Sequence, residues 1–213
     1  MTSYQHASRG FSLIELSIVL VIVGLVIAGM LVPLSAQIDQ KNYNETQKAM
    51  IELRDGLIGY ASSNGYLPCP DTTGDGLEDR NASGGCLVDP AEGNLPWADL
   101  GMGRQDAWGQ KYQYRVTNEF ANSVTKPTLS TIPSMTITDT SGVTLALRVP
   151  AVIVSKGKSG AGAGANEQEN SDKDEYFVSD TPTAVAGNEF DDIVVWVPST
   201  LLFNRMLSAG KLP

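Results

Sequence analysis

One stretch of this chain constrains everything else. From Leu16 to Ile38 there are 23 consecutive residues without a charge, nearly all apolar or small. Built as a helix, such a run is about 35 Å long, enough to cross the roughly 30 Å hydrocarbon core of a bilayer. Directly before it stands one acid, Glu15, in an apolar context that begins at Phe11. The first ten residues, MTSYQHASRG, are polar, and Arg9 is their only basic side chain besides His6. A basic residue before the span favours a cytoplasmic N-terminus, with the bulk of the chain outside. The next charges, Asp39 and Lys41, mark the far side.

Two plain readings compete for this segment. A secretory signal peptide needs a small-residue cleavage site after its apolar region, and Ser35-Ala36-Gln37 is a weak match. A simple signal anchor needs no cleavage at all. Neither accounts for Glu15. A carboxylate in hydrocarbon is costly, and intramembrane ionisable residues point to function. The bland alternative is that Glu15 reaches up to the headgroups from its place near one end.

The run Arg9-Gly10-Phe11-Ser12-Leu13-Ile14-Glu15-Leu16 resembles the prepilin peptidase site of type IV pilins and type II secretion pseudopilins. The resemblance implies cleavage after Gly10, N-methylation of the new terminal Phe11, and retention of the apolar segment. It also implies that Glu15 of one subunit pairs with the Phe11 amine of its neighbour. The chemistry is coherent. An α-amino group is cationic near neutral pH, and a buried cation and a buried carboxylate are each costly alone and favourable together. The implied partners are prepilin peptidase, further copies of the chain and related pilin-like subunits, an inner-membrane assembly platform, and the membrane itself. The implied location is a single-pass inner-membrane protein with a periplasmic domain, later built into a pilus or pseudopilus.

Within the span, Gly24 and Ala28 are four apart, and Gly29 follows, a pattern that allows close helix approach or reflects ordinary membrane composition. Pro33 removes the helical partner of the Gly29 carbonyl, so a kink or melted stretch is expected around 29–33. After Ile38 the pattern turns amphipathic: Met50, Leu53, Leu57 and Tyr60 or Ala61 recur at helical spacing. The helix should end near Asn64-Gly65. The expected organisation is a leader at 1–10, a membrane half of the helix at 11–38, an amphipathic half at 39–64 and an extracytoplasmic β-rich domain at 65–213.

Cys69 and Cys86 are the only cysteines. With no C-x-x-C pair and one distant histidine, a four-ligand zinc site is not expected. Outside the cytoplasm a single disulfide is the natural pairing, with two buried free thiols as the alternative. Residues 64–110 are rich in turn residues. Asp71 to Asp79 alternates acids with glycine, but Thr73 stands where an EF-hand needs a second acid, so calcium there competes with a simple turn.

Asp106-Ala107-Trp108-Gly109-Gln110-Lys111-Tyr112-Gln113-Tyr114 resembles the D-x-W-G-x-x-Y-x-Y stretch of type II secretion major pseudopilins. Tyr112, Tyr114 and Val116 should form one face of a strand. Met135 and Ile137 alternate with threonines, Asp139–Gly142 is a turn, and Val143, Leu145, Leu147 and Val149 should line one face of a returning strand. Ala151–Ser155 and Ile193–Val197 are further strands, and the tail STLLFNRMLSAGKLP, with Leu201, Leu202, Phe203, Met206 and Leu207 and a stop at Gly210, reads as a short amphipathic helix. The expected fold class is α+β: a long N-terminal helix packed on an antiparallel β-meander, pilin-like.

The intervening segment from Ser155 to Asp192 is rich in glycine and acids and reads as a mobile loop. Gly157-Lys158-Ser159 is not a phosphate loop, because Val152 occupies the place of the required first glycine and no helix pattern follows. The order strand, S-x-G-x-x-G, long loop, Asp191-Asp192-Ile193 resembles the calcium-bearing end of major pseudopilins. That implies Asp191 or Asp192 as a Ca²⁺ ligand, in a loop longer than that family's; no other cofactor is expected. The alternative is a solvated acidic loop.

A net charge of −9 makes nucleic acid an unexpected partner. His6 is the sole histidine, so neither a Ser/His/Asp set nor an H-E-x-x-H zinc motif can be assembled. The function expected is therefore structural rather than enzymatic. A minor tip pilin for adhesion or DNA uptake, or a membrane-anchored exported enzyme, are the alternatives.

Overall fold

A computed structural model describes residues 10–160, 162 and 164–212, without the side chains of 28–33. The leader residues through Arg9, and the expectations placed on Ala28, Gly29 and the Pro33 side chain, lie outside the described residues. The chain divides into two compact units, residues 1–41 and 42–213. Helix α1, Leu13–Asn64, contributes to both and does not end at Pro33.

In the first unit, thirteen large apolar side chains from Phe11 to Ile27 are exposed. Among the described residues no helix is long and apolar enough to cross a membrane. The apolar run of the sequence continues through residues 28–33, whose side chains lie outside the described residues.

In the second unit the amphipathic spacing does what it predicts. Met50, Leu53, Leu57 and Ala61 are buried, with Ile58 beside them. The helix stops where expected: Gly65 takes a left-handed conformation at φ 85°, and its N–H returns to the Ala61 carbonyl. Only glycine adopts that conformation without strain.

The strands are β1 (Glu92–Asn94), β2 (Gln113–Val116), β3 (Met135–Thr138), β4 (Thr144–Val149), β5 (Ala151–Ser155), β6 (Tyr176–Val178) and β7 (Ile193–Val197). They do not form a meander. One antiparallel sheet has the order β1-β2-β5-β7 and a second has the order β4-β3-β6, in which β3 and β6 run parallel. Period-two alternation along β5 explains the layering. Ala151 and Ile153 join the core shared with α1, Tyr112, Tyr114 and Val116, while Val152 and Val154 join Met135, Ile137, Val149 and Phe177 of the second sheet. A strand covered on both faces is buried throughout, as β5 is. Short helices α2 (Trp97–Leu100), α3 (Asn118–Ala121) and α4 (Ala165–Glu169) punctuate the loops. The last helix, α5 (Ser199–Ser208), buries Leu202 and Met206.

Two further expectations are corrected. The β3–β4 hairpin forms, with Asp139 accepting from the N–H groups of Ser141 and Val143 at its turn. Yet Val143, Leu145 and Leu147 are exposed, and only Val149 faces the core. The register is irregular, and Arg148 sits at φ 56°, so the strand changes phase before Val149. The segment from Ser155 to Asp192 is not a bare loop either. It holds α4 and β6, buries Val178, and sets Phe177 into the core of the second sheet.

Candidate functional site

The N-terminal features lie at one helix start. Gly10 and Phe11 precede the helix, and Phe11 is 81% exposed. Ser12 accepts a hydrogen bond from the Glu15 N–H at 3.2 Å, satisfying one of the helix's orphan donors. Glu15 stands in the first turn, where the helix dipole favours a negative charge. The Ser12-x-x-Glu15 spacing is also that of a capping box, a second signal carried by the same residues.

The second unit is tied together by polar groups that the sequence presents only as turn material. Cys69 and Cys86 form a disulfide. Between them Arg80 donates through Nε and Nη2 to the two oxygens of Glu78, at 2.7 and 2.6 Å. It also donates to the carbonyls of Leu67 (3.2 Å), Gly84 (3.0 Å) and Ala121, and lies over the Tyr66 ring at 4.5 Å. Glu78 further accepts from the Tyr60 hydroxyl and the Cys69 N–H. Burial, then the Glu78 charge, pushes the Tyr60 phenol well above its ordinary range.

The acids of 71–79 hold the loop closed. Asp71 is buried and accepts from the N–H groups of Gly74 and Gly76. Asp79 accepts from Thr72 and Thr73. Burial raises its affinity for a proton, but those donors outweigh burial and hold the carboxyl below its usual range. These contacts are those of a turn.

Asp106 plays the same part for the D-x-W-G stretch. Its Oδ1 accepts from the N–H groups of Trp108 and Gln110, and its Oδ2 accepts from Ser155 Oγ at 2.6 Å. The Ala107 N–H donates to Thr46 Oγ1 of α1. The motif therefore joins helix, turn and central strand.

Asp191 and Asp192 come together with Glu167, which sequence reasoning does not single out. Carboxylate oxygens of the three lie within 4.8 Å of one another. Glu167 accepts from the N–H groups of Asp191 and Gly164, Asp191 accepts from the Ser159 N–H and hydroxyl, and Asp192 accepts from the Asn170 amide. Burial, assisted by the charges of Glu167 and Asp191, pushes the Asp192 carboxyl up to about 7 against the pull of Asn170 and Lys156. Gly157 makes room for this corner: a Cβ there would meet the Asp191 carbonyl at 2.3 Å. Hard anionic oxygens suit a hard divalent cation, and Ca²⁺ takes six to eight oxygen ligands, of which the described residues bring three carboxylates together here.

Residues 5–31 match the prokaryotic N-terminal methylation motif. The chain carries the prepilin-type signature of type IV pilins and pseudopilins. The match covers Gly10, Phe11, Glu15 and the apolar run through Ile27, and none of the second unit. No curated protein and no solved structure gives a significant match. The prepilin signature suggests a structural, filament-assembled, membrane-anchored protein rather than an enzyme. It implies processing by a prepilin peptidase and assembly with other pilin subunits.

Proposed function

We propose that this chain is a structural subunit of a pilus or of a type II secretion pseudopilus. On this reading it is cut after Gly10, N-methylated on Phe11, held in the inner membrane by the apolar helix and then packed into a filament with its second unit outside. The observation that carries the reading is the prepilin motif set at the start of a helix whose apolar surface is exposed from Leu13 to Ile27. Such a surface needs lipid or other helices to cover it. Glu15 supplies the register, by pairing with the Phe11 amine of the next subunit.

Mass spectrometry of the mature chain from a strain with prepilin peptidase tests the processing: an N-methylated Phe11 terminus is expected. Glu15→Ala should leave that terminus intact and reduce filament yield at least tenfold. Filaments at wild-type yield from Glu15→Ala would refute the pairing. Filament labelling separates a shaft subunit, decorated along its length, from a tip subunit.

The corner of Glu167, Asp191 and Asp192 is the place where the reading adds Ca²⁺, with all three as carboxylate ligands. What supports it is three converging carboxylates, one of them held partly protonated near neutral pH by its surroundings. A bound cation would supply the positive charge that this corner needs for all three to ionise. Calorimetry of the detergent-solubilised chain should register binding that Asp191→Asn/Asp192→Asn removes. No heat at millimolar Ca²⁺ would end this part of the proposal.

A further inference from the structure

A surface turn inside the loop closed by Cys69–Cys86 carries a pattern with no part in the filament reading. Asn81-Ala82-Ser83 has the N-x-[ST] spacing of an asparagine glycosylation acceptor, and the chain holds one other such triplet, Asn44-Glu45-Thr46. The structure separates the two. Asn44 lies within α1, and Thr46 is 1% exposed, its Oγ1 accepting the Ala107 N–H at 3.1 Å. A hydroxyl so placed cannot meet an enzyme. Asn81, Ala82 and Ser83 are all exposed, at the turn between the bridged residues Arg80 and Cys86. Among the described residues the Ser83 hydroxyl makes no hydrogen bond.

The turn also leaves the acceptor atom available. Asn81 Oδ1 accepts from the N–H groups of Ser83 at 3.0 Å and Gly85 at 3.2 Å, which folds the third residue of the triplet back toward the carboxamide. The carboxamide nitrogen carries two hydrogens. One is donated to the Cys86 carbonyl at 2.9 Å, and the other is left for replacement. A singly substituted nitrogen keeps the bond to Cys86. Backbone bonds from Asn81 N–H to the Gly85 carbonyl and from Gly84 N–H to the Asn81 carbonyl hold the turn in any case. The disulfide beside it belongs to oxidising compartments outside the cytoplasm, where secreted chains carry asparagine-linked saccharides on surface loops.

We propose that Asn81 is the acceptor of an N-linked saccharide. The donor class is a saccharide carried on a lipid pyrophosphate. The bond between sugar C1 and the phosphate oxygen breaks, and its electron pair leaves with the pyrophosphate. A bond forms between C1 and Asn81 Nδ2, and the displaced proton passes to a base of the transferase. Nothing is oxidised or reduced. The saccharide adds bulk and polar surface beside two exposed apolar side chains, Leu87 next to Cys86 and Val124 against Gly84. The proposal rests on the filament reading only in placing the second unit outside the cytoplasm.

The test is mass spectrometry of the full-length chain from the cells that produce it, intact and as peptides, with electron-transfer fragmentation to locate any attached mass. A saccharide on Asn81 and none on Asn44 is expected. Ser83→Ala should lower its occupancy at least tenfold, and Ser83→Thr should keep it. Both variants leave every Asn81 hydrogen bond in place, so the comparison does not turn on misfolding. A bare Asn81 in the wild-type chain overturns the site. So does full occupancy in Ser83→Ala, or an attached mass that locates to Ser83. The same spectra read the N-terminus. A methylated Phe11 terminus with Asn81 bare leaves the filament reading standing and removes the site. A saccharide on Asn81 of a chain that keeps its leader does the reverse.

Discussion

Arg80 is the side chain on which most of the loop-rich half of the second unit depends. Its guanidinium binds both Glu78 oxygens and three carbonyls, from Leu67, Gly84 and Ala121, which belong to separate parts of the chain. Both members of the pair are mostly buried, with side chains 15% and 17% exposed. Arg80→Met keeps the apolar stem over Tyr66 and removes every one of those donors. Removing one partner of a buried pair costs about 3–5 kcal/mol. Glu78 retains donors from Tyr60 and Cys69, which puts the expected loss near the lower end, about 3 kcal/mol. For a unit of this size that lowers Tm by about 6–12 °C. Arg80→Lys restores a charge but not the fork, and should recover less than half. Adding Glu78→Gln to Arg80→Met removes the stranded carboxylate and should recover about 1 kcal/mol or more, the coupling that a double-mutant cycle isolates. The assay is urea and thermal unfolding of the detergent-solubilised chain by near-ultraviolet circular dichroism, with the disulfide oxidised. An Arg80→Met loss below about 0.5 kcal/mol would place it among ordinary surface substitutions and refute the hub reasoning.

Gly76→Ala should destabilise by about 2 kcal/mol or more, because φ is 89° and the new methyl would meet the Trp97 ring at 2.3 Å; Gly101→Ala, at φ 64° with open space, should cost only about 1 kcal/mol, and equal losses in the two melts would discount the packing term. Reducing Cys69–Cys86, or replacing both by Ala, should cost about 3 kcal/mol on the chain-entropy account, read as a shift of the urea midpoint. In EDTA, stability should fall as pH rises from about 4 to about 7. The folded chain holds the Asp192 proton up to about 7, whereas the unfolded chain releases it near 3.8, so the unfolded state binds fewer protons across that window. Asp192→Asn should flatten this component, worth up to about 4 kcal/mol, with the two proteins converging below about pH 4; an unchanged slope in the variant would assign it elsewhere.

What the sequence reveals and what it hides divides along physical lines. The helix stripe from Met50 to Ala61, its stop at Gly65, and strands β5 and β7 are legible because period and punctuation are local. The hidden parts depend on distant partners. Strand β6 has three residues and owes its burial to a parallel pairing with β3, in which Thr136 meets Tyr176. The outward turn of Leu145 and Leu147 hinges on one left-handed residue, Arg148. Turn chemistry among the 71–79 acids is readable from their spacing, but not that Glu78 serves Tyr60 and Arg80. Asp191 and Asp192 are marked by resemblance. Glu167 is not, since only the path of α4 brings it to them, and its one cue is an acid-rich run among many.

Magnitudes also decide which part of the N-terminal motif does what. Burying thirteen large apolar side chains from Phe11 to Ile27, at about 1.5 kcal/mol each as a lower figure, is worth roughly 20 kcal/mol. That exceeds the roughly 5–15 kcal/mol that typically holds a whole domain together, so the apolar run governs where the segment resides whatever Glu15 does. One carboxylate in a membrane helix costs about 3 kcal/mol on insertion scales, too little to prevent burial. It is enough, however, to choose between one neighbour and another. Apolar helices slide past each other with little change in contact, whereas a carboxylate that must find an amine defines a single offset. On the filament reading proposed above, Glu15 is thus suited to set register rather than membrane affinity. Glu15→Ala should therefore leave membrane residence untouched and act on filament assembly alone, seen as the fall in filament yield.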